Sequence, residues 1–209
     1  MLLLALGFRL LFLLAMPRVL DTADAIHYVE TAEHLAQGNI FGYDPKIPPL
    51  YPLLGACAHL VIADMEWACR MVSFFASILT VIPVFLLAKD LHGLGAARIS
   101  ALIVALWPWL ADYACRVSTE ATAVLFWFTA LWLFTRGIRR GGWTLYASPF
   151  AYFGLALIRP EGLFIALCTA PAALLLTWEG KRPHLKRYLP FAGILLTLVV
   201  ANTLYIRQF

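Results

Sequence analysis

The sequence predicts an all-α protein, a polytopic bundle of helices crossing a lipid bilayer about seven times. Three observations predict it. Apolar residues make up 62% of the 209 residues and charged ones only 13%, with a mean hydropathy of +0.81, more apolar surface than a water-soluble core of this length hides. The apolar residues fall in runs approaching the length of about 20 residues that one crossing needs. Charged residues gather between those runs and sort by sign, as the positive-inside rule requires.

The first run, Met1 to Met16, is apolar apart from Arg9 and predicts a first span at 1–17. At 1.5 Å per residue it reaches about 24 Å against a hydrocarbon core of about 30 Å. A cleavable signal peptide ending at Ala23-Asp24-Ala25 is the competing reading, disfavoured because no basic stretch precedes the run. An outer loop, 18–66, follows. Within it Ala25, Tyr28, Val29, Ala32, Leu35 and Ala36 recur at helical spacing opposite Asp24, Glu30, Glu33, His34 and Gln37, which predicts an amphipathic helix on the membrane surface. Gly38 is placed to cap it, and Pro45, Pro48, Pro49 and Pro52 forbid an ordinary helix through the next stretch. Leu53 to Ala63 is apolar but too short to cross and predicts a re-entrant or interfacial segment. The remaining spans are expected at 67–88, 95–113, 119–136, 144–158, 162–178 and 188–206. The whole chain then reads as a single transmembrane domain without internal repeats.

Sidedness checks this arrangement. With the N-terminus cytoplasmic, the inner side carries Lys89, Arg98, Arg136, Arg139, Arg140, Lys181, Arg182, Lys186 and Arg187 against only Asp90 and Glu179. The outer side carries Arg18, Lys46, Arg70, Arg116, Arg159 and Arg207 against ten acids, Asp21, Asp24, Glu120 and Glu161 among them. Making 53–63 a full crossing would reverse every later loop and break the rule.

Several function classes lack support. The net charge of +4 sits at helix ends and not in an aromatic-interleaved patch, so no nucleic-acid partner is expected. Cys57, Cys69, Cys115 and Cys168 lack metal-ligand spacing, although a disulfide among the first three stays open. The histidines show no i, i+4 pair, and no metal site is assigned. Tryptophans such as Trp67, Trp107, Trp109 and Trp143 lie near span ends, as interface anchors do. No P-loop, dinucleotide fingerprint or serine-hydrolase elbow is present. A transporter or channel subunit would place ionisable residues near the midplane, whereas here they lie at span ends. A non-catalytic scaffold would leave its outer carboxylates scattered.

The candidate chemistry lies on the outer face. Asp21 and Asp24 suit helix capping, each worth about 1 kcal/mol. Alternatively one of these aspartates, beside His27 and one turn before Tyr28, accepts a proton from an alcohol presented at the membrane surface. Glu120 and Glu161 begin later helices on the same predicted side, where first-turn acids meet the helix dipole. Arg70 and Arg159 run against the topology rule, and guanidinium forks match phosphate oxygens; snorkelling to the headgroups is their other reading.

At these residues the chain resembles the GT-C fold membrane glycosyltransferases that use polyprenyl-phosphate sugars, a superfamily including protein O-mannosyltransferases and lipid A aminoarabinose transferases, and is closest to its bacterial members. The resemblance runs over essentially the whole chain: Asp24-Ala-Ile-His27-Tyr28 after the first span, a helix ending in Gly38, Pro48-Pro49-Leu50-Tyr51-Pro52, Arg70-Met-Val-Ser73, Val117-Ser-Thr-Glu120 and Arg159-Pro160-Glu161-Gly162-Leu163. It implies an inverting transfer of a hexose or pentose from a polyprenyl-phosphate donor to a hydroxyl of a glycan, lipid or protein acceptor, on the outer side of a bacterial plasma membrane. Asp24 would be the base, with Asp21 second. His27, Tyr28, Arg70, Glu120, Arg159 and Glu161 would contact substrate, and Lys46 would bind phosphate, although Ile47 separates it from the proline pair. No cofactor is implied; a divalent metal stays open. Family members continue through further spans, so the chain reads as an N-terminal fragment.

Overall fold

The computed structural model describes residues 1–16, 23–39, 47–176 and 189–206. All regular structure among them is helical: α1 (Leu2–Ala15), α2 (Ala23–Ala36), α3 (Leu50–His59), α4 (Met65–Leu79), α5 (Val81–Ala105), α6 (Pro108–Ala114), α7 (Glu120–Arg140), α8 (Trp143–Ile158), α9 (Gly162–Leu176) and α10 (Leu189–Ile206). Helix α7 is the centre, packed on α8 and also on α4, α5 and α9; α1 lies against α4, α5 and α6, and α2 and α3 pack on α4.

The interior is built of small residues. Ala5, Ala101, Ala105 and Ala121 sit in the core beside Phe74, Leu110 and Val104, and Ser73, Ser77, Thr80, Thr122 and Ser148 are buried with them. Large apolar side chains face outward: Leu3, Leu14, Ile103, Phe164 and Leu167 are each at least 60% exposed. In water such a surface would associate. Small residues inside, hydroxyls as interhelical glue and large aliphatics outside are the pattern of helices packed in lipid.

Among the described residues two helical stretches are long and apolar enough to cross a membrane, Met65–Ala105 with 41 residues and Glu120–Arg140 with 21. Seven were expected. Helices α1 and α8 are apolar but shorter, while α9 and α10 border residues outside the described set. The 41-residue stretch is itself divided. Thr80, between α4 and α5, keeps helical angles, but at Gly93 the backbone turns to φ 85°, a conformation that residues with a Cβ rarely adopt.

The span expected at 95–113 is not one helix. Pro108 excludes helical geometry from the residue before it, so Trp107 is extended at φ −72°, ψ 112°. The chain leaves α5 at Leu106 and starts the separate, seven-residue α6.

Arg9 closes that break from the opposite side. Fully buried, its guanidinium donates to the carbonyls of Val104 (3.0 Å) and Ala105 at the C-terminal end of α5, and to Ser77 Oγ on α4 (2.7 Å). The charge inside the first apolar segment therefore serves the Ala105 carbonyl at the end of α5 and adds to the long 3.4 Å bond that the Val104 carbonyl accepts from Trp107 N–H.

The expected surface helix is α2. Its Ala25 and Ala32 are buried against Tyr51, Ala68 and Cys69, with Tyr28 and Val29 partly covered, and Asp24, Glu30 and Glu33 stay exposed. Gly38 ends it at φ 75°, with Asn39 N–H bonded to His34 O at 2.9 Å. Helix α3 has ten residues, about 15 Å, half of what a crossing needs. Cys57, Cys69, Cys115 and Cys168 are free thiols.

The bundle has charge at both ends of α7. At its C-terminal end Asp90 of α5 pairs with Arg136 (3.1 Å) and Arg140 (2.8 Å) and accepts from Trp132 Nε1, while Arg139 donates to its carbonyl oxygen. The N-terminal end begins with Glu120, about 30 Å away along the helix.

Candidate active site

Four elements bring the charged groups at the N-terminal end of α7 together. Helix α2 presents Asp24 in its first turn and Tyr28 one turn later. Tyr28 packs edge-on against Tyr51 at 5.4 Å.

Tyr51 is the fixed point beneath the site. Fully buried, its hydroxyl accepts from Ser118 N–H (3.0 Å), donates toward Cys69 O (3.0 Å) and lies 2.9 Å from Ser73 Oγ. Ser73 Oγ in turn donates to Ser118 O (2.8 Å). Both backbone polar groups of Ser118 are thus held by side chains of α3 and α4, which sets where α7 begins. Ser118 Oγ donates to the Glu120 carboxylate. Burial drives the Tyr51 phenol far above its ordinary pKa, so it stays a donor. Tyr51→Phe keeps the ring but strands Ser118 N–H in the interior, and is expected to cost about 1 to 3 kcal/mol, measured as a lowered unfolding midpoint in detergent.

Arg159 comes from the end of α8. Pro160 excludes helical geometry before it, Arg159 is extended at φ −144°, ψ 131°, and its guanidinium reaches Glu120 at 2.9 Å and Glu161 at 3.5 Å. The turn that follows fits only glycine: a Cβ on Gly162 would lie 2.7 Å from backbone atoms of Leu155 and Ala156.

These residues enclose a cavity of about 300 Å³ lined by Asp24, Ala25, Tyr28, Asp112, Tyr113, Arg116, Val117, Ser118, Thr119, Glu120 and Arg159. Beside it runs an apolar groove of about 270 Å³ between Trp109, Ala123, Val124, Trp127, Leu155 and Ile165. Glu120 and Arg159 line both. A polar chamber joined to an apolar groove at an ion pair fits an amphiphile with an anionic centre between head and tail.

Electrostatics suit that use. Burial alone would lower the Arg159 pKa, but Glu120 and Glu161 outweigh it and raise it above its ordinary value, so the cation persists at any physiological pH. The Tyr28 phenol is pushed up by burial, with the Asp24 and Glu120 charges adding and a hydrogen bond to Thr119 opposing. It remains a neutral donor.

Of the residues singled out by sequence, Asp24, Tyr28, Glu120 and Arg159 meet in the cavity, and Glu161 borders the groove. His27 faces outward toward Glu30 at 3.5 Å. Arg70 is buried and paired with Glu66 at 2.7 Å. It does not line the cavity. Asp21 and Lys46 lie outside the described residues. Asp112, Tyr113, Arg116 and Thr119 line the cavity without having been singled out; Asp112 and Arg116 pair at 3.0 Å, an i, i+4 spacing visible in the sequence. Among the described residues no three His, Cys, Asp or Glu side chains are placed to hold a metal ion.

The model of a known family, dolichyl-phosphate-mannose-protein mannosyltransferase, matches residues 46–206. No curated protein and no solved structure matches the chain. The matched region carries α3 to α10 and with them the apolar groove and the shared Glu120–Arg159 pair, while Asp24, Ala25 and Tyr28 of the polar chamber precede it. The chain belongs to the dolichyl-phosphate-mannose-protein mannosyltransferase family, of GT-C type.

Proposed function

We propose that the chain transfers a hexose or pentose from a polyprenyl-phosphate donor to an acceptor hydroxyl, with inversion at the anomeric carbon, on the outer side of a bacterial plasma membrane. The observation that carries this reading is the Glu120–Arg159 pair lining polar cavity and apolar groove alike. The lipid tail lies in the groove against Trp127 and Ile165. The phosphate meets Arg159, which stabilises the charge of the departing phosphate, and the sugar projects into the cavity. Asp24 takes the proton from the attacking hydroxyl. The new bond joins acceptor oxygen to the anomeric carbon as the carbon–oxygen bond to phosphate breaks. In this reading the seven spans, the outer loop 18–66 and the N-terminus on the cytoplasmic side form one domain, with the Asp90 cluster facing the cytoplasm.

The test is a transfer assay in proteoliposomes with a labelled polyprenyl-phosphate hexose and a hydroxyl acceptor. The intact protein is expected to transfer the label, and Arg159→Ala to lower kcat by about 10²- to 10³-fold. Label transfer undiminished by Arg159→Ala, or none from the intact protein, overturns the reading.

A further inference from the structure

One wall of the polar cavity has no part in the bond-making just described. It is α6, the short helix that exists because Pro108 interrupts the preceding one. Leu110, Ala111 and Ala114 are buried, which anchors α6 against α4 and α7. Its other side gives Asp112 and Tyr113 to the cavity, joined by Arg116 just past its end.

The chemistry of this shelf is distinctive. Asp112 and Arg116, about one-third exposed and 3.0 Å apart, set a pure acceptor beside a pure donor. The Tyr113 ring lies 4.5 Å from Trp109, and Trp109 lines the adjoining apolar groove. A pyranose presents the complementary features: hydroxyls around its edge, each donor and acceptor, and a face of C–H groups. A phosphate alone needs no carboxylate and no aromatic face.

We propose that α6 is the subsite that reads the donor's sugar ring, with Asp112 and Arg116 holding neighbouring hydroxyls and Tyr113, backed by Trp109, supporting the C–H face. The ligand class is a neutral, hydroxyl-rich pyranose carried on lipid phosphate, and Asp112 is a specificity-determining residue. This rests on the polyprenyl-phosphate-sugar reading. Assignment to the donor and not the acceptor follows from connectivity: a phosphate at Arg159 with its tail in the groove leaves the sugar in the chamber that α6 walls.

Two measurements test it on the full chain. In the first, polyprenyl-phosphate mannose competes with its C2 and C4 epimers in the transfer assay. A site built to bind a hydroxyl discriminates strongly through it, so Asp112→Asn is expected to shrink the epimer preference about tenfold or more, with an unchanged unfolding midpoint. Tyr113→Phe is expected to keep the preference, and Tyr113→Ala to raise KM for all epimers alike. An epimer ratio unchanged in Asp112→Asn overturns the proposal while leaving the transferase reading intact.

The second is binding without turnover, followed by tryptophan fluorescence. Polyprenyl-phosphate mannose is expected to bind at least tenfold more tightly than polyprenyl phosphate, and Asp112→Asn to erase that difference. Equal affinities in the unmodified protein overturn the subsite even if no transfer is seen.

Discussion

Asp24→Asn is expected to lower kcat by about 10² to 10⁴-fold, the range that a positioned general base supplies, with the protein still folded and inserted. The substitution keeps shape and one acceptor oxygen but removes the basic lone pair. Asp24 stands in the first turn of α2, where a carboxylate also meets the positive helix end, an effect of about 0.3 to 1 kcal/mol. The two roles separate in measurement. A capping role alone predicts a slightly lowered unfolding midpoint and unchanged transfer; a base predicts the reverse. Its neighbours favour the second, because Tyr28 and Arg159 line the same cavity. KM for the donor is expected to change little, since in the proposed reading its phosphate meets Arg159. Transfer at the unmodified rate by Asp24→Asn would remove Asp24 from the mechanism.

Arg9→Ala is expected to destabilise the protein by about 2 to 5 kcal/mol, through the charged hydrogen bonds it removes and the space it empties. The side chain is wholly enclosed, and its loss strands the Ala105 carbonyl, at about 1 to 3 kcal/mol for a buried group without a partner, and takes one bond each from the Val104 carbonyl and the Ser77 hydroxyl, which keep Trp107 N–H and Leu110 O as partners. The void left by the stem and guanidinium adds to this. Because those carbonyls end α5 just before α6, the damage reaches the cavity wall: transfer is expected to fall together with the unfolding midpoint in detergent. Arg9→Lys keeps the charge but not the fork, and is expected to recover only part of the loss. An Arg9→Ala protein as stable as the original would show that α5 ends without help from α1.

Much of this was legible in the chain. The apolar stripe of α2 and its closure at Gly38 follow helical periodicity, and Arg159-Pro160 announces a helix end by backbone sterics alone; α3 was less legible, because its first turn takes in Pro52, a proline expected to forbid a helix but tolerated where its missing N–H has no partner to lose. The division of 95–113 was not legible from hydropathy, because the apolar run continues through the break; only Pro108 marks it. With α6 unseen, Asp112 and Arg116 counted only toward the charge of the outer side. Arg70 drew notice as a candidate for phosphate; it is buried and pairs with Glu66 at i, i+4, a spacing that was there to read. Arg9 looked like a charge to be tolerated because its partners lie nearly a hundred residues away. The meeting of Asp24, Glu120 and Arg159 depends on how α2, α7 and α8 pack, and no local pattern records that.

The smallness of the interior has a consequence for how the protein is probed. Truncation to alanine, the usual way to find which side chains matter, is blind at Ala5, Ala101, Ala105, Ala121 and Ala130, which are already at that size and have no exposed surface. Informative substitutions there run upward: a leucine at Ala101 or Ala121 has nowhere to go without prising neighbouring helices apart, at about 1 to 3 kcal/mol apiece. A survey by enlargement would therefore trace the helix contacts that a survey by deletion leaves blank.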